Sequence, residues 1–188
     1  VARLALLLAL LVPPCILVVD APVAHWVATH ETFPALWSDI LHVLEYPLGI
    51  EPWAYLGATV LVIGVIATQL KWKRHAQPWL FVAATHLLAR NVMMWAKLAF
   101  GRLRPTEWHG GPTFFHGGTS FPSGHVMLFA SLALPLAVVW PRARWLAVLP
   151  IYAMAARVMV SAHFVSDVIA GLSATLAITS LCRRLILR

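Results

Sequence analysis

The chain has 188 residues, of which 61% are hydrophobic and 11% charged, with a formal net charge of +7. A soluble domain carries about 25% charged residues. This composition therefore excludes a water-covered globular surface and implies a single integral membrane domain over residues 1–188. The basic residues are scattered between long apolar stretches and form no continuous stripe, so the positive charge does not signal a nucleic-acid partner.

A membrane span needs about 20 mostly apolar residues. Six segments meet this, 3–20, 52–70, 78–100, 124–140, 144–163 and 165–183, which predicts an all-α six-transmembrane-helix bundle. Pro13, Pro14, Pro135 and Pro150 fall inside spans, where neighbouring helices can satisfy the carbonyls they release. Only Arg3 precedes the first apolar run, and Val19, Asp20 and Ala21 make a poor processing site for a cleaved signal peptide. Cys15 and Cys182 lie far apart in apolar segments and are expected to be buried structural thiols.

Between the first two spans, Phe33, Leu36, Trp37, Ile40, Leu41, Leu44 and Leu48 recur at helical spacing, with Ser38, Asp39, His42 and Glu45 on the other side. This predicts a short amphipathic helix over about 31–48, lying on the outer interface and bordering a lateral lipid entrance. An ordinary packed loop helix is the alternative.

With the N-terminus cytoplasmic, Arg3, Lys71, Lys73, Arg74, Arg142, Arg144, Arg183, Arg184 and Arg188 lie inside. All seven acids (Asp20, Glu31, Asp39, Glu45, Glu51, Glu107 and Asp167) then lie at the opposite side. The positive-inside rule thus puts both termini in the cytoplasm of a multi-pass cell (inner) membrane protein. Five cations defy that rule: Arg90, Lys97, Arg102, Arg104 and Arg157. A cation at the bilayer centre costs about 2.5–3.5 kcal/mol on insertion scales, so those kept there point to a site or a buried pair.

Arg90, Lys97 and Arg104 are spaced by seven, which on a continuous helix makes a basic stripe climbing to the outer surface, ended by Pro105. Snorkelling to the interface would explain Arg102 and Lys97, but Arg90 poorly. His86 and Arg90, four apart, suit a buried polar pair. Before the fourth span, Pro122, Ser123, Gly124 and His125 read as a helix start. Ser123 is a fitting N-cap, Gly124 permits close backbone approach, and the free N–H groups suit an anion. A plain capped helix is the other reading. After Arg157 come His163 and Asp167, four apart, either on one helix face or meeting across a short break. A carboxylate holding one imidazole nitrogen leaves the other to attack; a structural His–Asp pair is the bland alternative. Together these cations, the helix start and the two histidines match the needs of phosphoryl transfer.

In these patches the chain resembles the type-2 phosphatidic acid phosphatase superfamily, which also includes vanadium haloperoxidases. The family signature is Lys, six residues, Arg-Pro; then Pro-Ser-Gly-His; then Ser-Arg, five residues, His, three residues, Asp. It is met at Lys97, Arg104 and Pro105, at Pro122 to His125, and at Arg157, His163 and Asp167, with Ala156 standing where the family has Ser. The resemblance implies that His163 attacks phosphorus to form a phosphohistidine and that Asp167 orients it. It also implies that His125 protonates the leaving oxygen and then activates water, while Lys97, Arg104, Ser123, Gly124 and Arg157 hold phosphate oxygens. No metal or cofactor is implied, and the nine histidines show no metal-ligand spacing.

The expected function is a lipid phosphatase working at the periplasmic or extracellular face. Its substrate would be a lipid phosphate or diphosphate of the undecaprenyl diphosphate, phosphatidylglycerophosphate or lipid A type. A lipid-to-lipid phosphotransferase would use the same residues. A non-catalytic lipid-headgroup binding or transport protein would leave His125, His163 and Asp167 without a purpose. Six apolar spans argue against a soluble haloperoxidase.

Overall fold

Pro13 and Pro14 deprive the first helix of two amide donors in succession, and the computed structural model shows a change of helical winding at this point rather than a break. Helix α1 (Ala2–Pro14) passes through a π-helical turn, Cys15–Val19, and continues as α2 (Asp20–Thr29). The structure describes residues 1–30, 39–40, 43, 56–71 and 76–187. The run Ala2–Thr29 comprises 28 residues, about 42 Å at the α-helical rise. The first span was expected to end at residue 20, but helix continues to Thr29. Asp20 therefore lies mid-run and is 3% exposed.

The remaining helices are α3 (Leu56–Lys71), α4 (Ala76–Phe100), α5 (Gly124–Val139), α6 (Val148–Met159) and α7 (Val165–Ile186). No strand occurs among the described residues. Each helix falls within or close to a segment expected to span. Among the described residues two helical runs, Ala2–Thr29 and Val165–Ile186, are long and apolar enough to cross a membrane, whereas α5 is apolar but shorter. The interfacial helix expected over 31–48 lies outside the described residues apart from Asp39, Ile40 and Val43; Lys73, Arg74 and Arg188 also lie outside them.

Two boundaries differ from expectation. Helix α4 stops at Phe100, because Gly101 takes a positive φ of 49° and its amide bonds back to the Lys97 carbonyl at 2.9 Å. A glycine in this conformation is a common way to end a helix, so Pro105 does not end it and Arg104 leaves the basic stripe for extended backbone. The span expected over 144–163 contains only α6. Pro141–Ala147 forms a 3-10 turn, and Ser161, at φ 54°, turns the chain after Met159.

Helix α7 is the centre of the bundle and packs on α1, α4, α5 and α6. One core cluster joins Val126 and Phe129 of α5 to Ala153 and Ala156 of α6 and Val168 of α7. A second joins Phe81 and Ala89 of α4 to Met127, Ile178 and Cys182. Thr85, Thr175 and Thr179, all buried, satisfy their hydroxyls on carbonyls four residues back in their own helices. The outer surface is apolar: Leu4, Leu6, Leu7, Leu10, Leu17, Ile63, Trp95, Leu98, Ile151 and Leu185 are exposed. Apolar area on this scale suits hydrocarbon rather than water.

Candidate active site

The site is assembled where α4, α5, α6 and α7 meet the loop over 101–123. That loop folds back on itself: Leu103 N donates to Thr113 O (2.9 Å), Gly118 N to Gly101 O (3.0 Å) and Ser120 N to Arg102 O (2.9 Å). The two arms of the loop cross so closely at Gly118 that a Cβ there would lie 2.2 Å from the Arg102 carbonyl oxygen. Only glycine permits that approach. The crossing sets Arg102 and Ser120 side by side above the first turn of α7.

Asp167 sits in that first turn and is fully buried. Its Oδ1 accepts from Arg102 Nη1 at 2.5 Å, and its Oδ2 accepts from Ser120 Oγ at 2.6 Å and from the Phe164 amide at 2.9 Å. Nδ1 of His163 lies 3.5 Å from the same Oδ2 and 3.3 Å from Ser120 Oγ. His163 occupies the break between α6 and α7, so the pair meets across an interruption of helix and not along one helix face. With Nδ1 turned to an acceptor, its proton belongs on that nitrogen, and Nε2 carries the lone pair. Burial pushes the His163 pKa below its ordinary 6.5, as do the charges of Lys97 and Arg104; its hydrogen bond to Asp167 and the charge of that residue pull the other way.

Ser123 is the N-cap residue of α5, yet its hydroxyl makes no capping bond. The Oγ atom is buried and has no hydrogen-bond partner among the described residues. A buried hydroxyl in that state is available to a ligand. At Gly124 an added Cβ would lie 2.8 Å from Met93 Sδ and 3.6 Å from Lys97 Nζ, so the absent side chain lets the ammonium rest against the helix start. Arg157, in the last turn of α6, sets Nη2 against Nε2 of His125. Its carbonyl also accepts from the His163 amide at 3.1 Å. Arg104 lies at the rim, with Nη2 3.4 Å from Thr119 Oγ1. The Ser123 amide donates to the Asp167 carbonyl at 3.1 Å, tying the start of α5 to that of α7.

All eight residues singled out by sequence thus lie at one end of the bundle. The reading of one other residue needs revision. Arg102 does not snorkel: it is 1% exposed, bonds Asp167 and Asp20, and is sandwiched by Phe114 and Phe164 at 4.6 and 4.3 Å. Ala156, where the resemblance calls for Ser, lies in the apolar cluster with Val126 and Phe129. His86 makes its hydrogen bond to Ser131 of α5 at 2.9 Å, across helices. Sequence reasoning missed Ser120, Arg102 and Asp20 as members of this network. The available signal was that Arg102 and Asp20 are charges at the ends of apolar runs. Among the described residues no cluster of three or more His, Cys, Asp or Glu suits a metal ion.

The family model for the PAP2 superfamily matches residues 78–188. The fold is similar to that of a transmembrane PAP2-type phosphatidylglycerolphosphate phosphatase from Bacillus subtilis, known from a crystal structure. The TM-score is 0.62 at 20% sequence identity, covering 97% of this chain and 94% of that one. No curated protein matches the sequence.

Proposed function

We propose that this chain, which belongs to the PAP2 superfamily, is a lipid phosphate phosphatase that works through a phosphohistidine at the non-cytoplasmic face of the membrane. The observation that carries the reading is the buried Asp167–His163 pair, with Nδ1 turned to the carboxylate, beside the cations Lys97, Arg104 and Arg157. An imidazole held in one tautomer next to fixed positive charge is suited to attack a phosphoryl group and to neutralise its equatorial oxygens.

In the first step Nε2 of His163 bonds to phosphorus as the bond from phosphorus to the lipid oxygen breaks, and His125 gives that oxygen a proton. In the second, His125 takes a proton from water as the water oxygen bonds to phosphorus. The N–P bond then breaks, releasing phosphate and restoring both histidines. Ser123 Oγ and the amides opening α5 would receive phosphate oxygens, with Lys97 at Gly124. Arg157 touches His125, so an oxygen bound by its guanidinium is held beside the proton donor.

Six spans in a single domain over 1–188, with cytoplasmic termini, would put the site among outer headgroups, since the basic ends of the bundle lie away from it. The substrate is then a phosphate or diphosphate on a lipid, such as phosphatidylglycerophosphate, undecaprenyl diphosphate or a lipid A phosphate. The first of these is named for the enzyme from Bacillus subtilis that shares the fold. A lipid-to-lipid phosphotransferase would use the same residues with a lipid hydroxyl in place of water.

The test is phosphate release by purified protein in micelles across phospholipid, prenyl and lipid A substrates. Hydrolysis requires free phosphate with a single lipid present, and turnover that survives His163→Ala would replace the enzyme reading with one of headgroup binding.

A further inference from the structure

Asp20 comes from the first helical run, outside residues 78–188 and outside all three sequence patches. It is nevertheless built into the same polar network. Its Oδ2 accepts from Arg102 Nη2 at 2.7 Å, and its Oδ1 accepts from the Ser166 amide at 2.9 Å. Ser166 Oγ donates to Asp20 Oδ2 and accepts from Arg102 Nη1 at 2.6 Å. The other terminal nitrogen of Arg102, Nη1, donates to Asp167, which holds His163. Asp20 and His163 also border one narrow cleft, with Val23, Ala24 and Val158 between α2 and the end of α6.

We infer that Asp20 is a positioning residue of the reaction, the outer member of a buried chain Asp20–Arg102–Asp167–His163. The inference rests on the phosphatase reading above. Arg102 lies between two carboxylates in a water-excluded setting, so each takes part of its charge. With Asp20 present, Asp167 keeps net negative charge to offer His163 as the imidazole acquires positive charge on bonding to phosphorus. Without it, Arg102 would neutralise Asp167 alone. A purely structural clamp between α2 and α7 would need the hydrogen bonds but not the charge.

The experiment separates the two. Asp20→Asn keeps an acceptor for Arg102 or Ser166 and removes the charge. In the full-length protein, kcat for phosphate release should fall about tenfold, the scale of losing an outer partner of a catalytic group, with KM for the lipid little changed. Among the described residues the charges acting on His163 are those of Asp167 of α7 and of Lys97 and Arg104 from α4 and its following loop, while Arg157 of α6 meets it through its carbonyl. All are retained in the variant. Loss of a nearby negative charge makes His163 harder to protonate, so the acidic limb of kcat/KM should move down by roughly half a pH unit. Asp20→Glu should return the limb towards wild type.

If Asp20→Asn does not fold, Asp20→Ser makes the same measurement with room for water. A limb that stays at the wild-type position in a folded variant, with only thermal stability reduced, overturns the inference and leaves Asp20 a clamp. Failure of the phosphatase reading looks different: wild type releases no phosphate, or His163→Ala still does.

Discussion

The amide of His163 donates to the carbonyl of Arg157 at 3.1 Å, closing a turn that leads from the last turn of α6 to an imidazole inside the break before α7. The five residues separating them in sequence are therefore the length of that turn. Ser161, at φ 54°, reverses the chain within it.

The turn aims His163 at Asp167, and the expected consequence of Asp167→Asn follows from its partners. An amide cannot accept from Arg102, Ser120 and the Phe164 amide with both of its ends. The rate of phosphate release should drop by about a thousandfold, and unfolding should become easier by about 1–3 kcal/mol as donors are left unmatched. Stopped assays and thermal melts in detergent check both; a near-normal rate would remove the His–Asp argument.

Ser123→Ala should separate stability from activity. The hydroxyl is buried and makes no bond among the described residues, so its loss should leave the melting temperature unchanged or slightly raised. Removal of one oxygen-binding donor should lower kcat/KM about tenfold or more. An active Ser123→Ala enzyme at wild-type kcat/KM would mean that this hydroxyl does not meet the substrate.

Gly118→Ala should disable the enzyme without touching a charged group. Its Cβ would fall 2.2 Å from the Arg102 carbonyl oxygen and 2.6 Å from the Leu103 amide nitrogen, both backbone atoms. The crossing must open, displacing Ser120 and Arg102 from Asp167. We expect at least a hundredfold loss of activity, the scale set by small misplacements of a reacting group. Phosphate release near the wild-type rate would show that the loop crossing is dispensable.

The pH profile carries a sign. His163 must be neutral to attack, and its pKa lies below the ordinary 6.5, with burial the largest cause. The acidic limb of kcat/KM assigned to the free enzyme should accordingly lie below pH 6.5. The same shift affects stability. As pH falls below 6.5 the unfolded chain takes up this proton first, so the contribution of His163 is fully present above 6.5 and is lost towards the lower folded pKa. A limb above 6.5 that persists with a substrate already fully ionised would contradict the buried imidazole.

Vanadate, which adopts the five-coordinate geometry of phosphorus in transfer, should inhibit competitively with the lipid, and prolonged dialysis against EDTA should leave phosphate release intact. Activity lost to EDTA and restored by one divalent ion would overturn the metal-free mechanism.

Much of this was readable from residue order. Lys97, Arg104, Ser123, Gly124, His125, Arg157, His163 and Asp167 were identified because charges and polar residues in an apolar chain are costly, and local spacing records which of them act together. Helix positions were readable too, since apolar runs of span length have few other folds open to them. Helix ends were less so: whether Gly101 or Pro105 stops α4 depends on a backbone conformation set by the loop that crosses it at Gly117 and Gly118.

What composition and spacing determined, then, was the apolar character of the chain and the eight positions that the fold gathers at one end of the bundle, both properties of residues taken locally. Only the tertiary structure decided that Arg102 is a buried link rather than a surface cation, and that Asp20, 147 positions before Asp167, shares its arginine. The physical reason is distance along the chain. A pairing between the first helical run and the last arises from how α1, α2 and α7 pack, and no periodicity in the sequence encodes that contact.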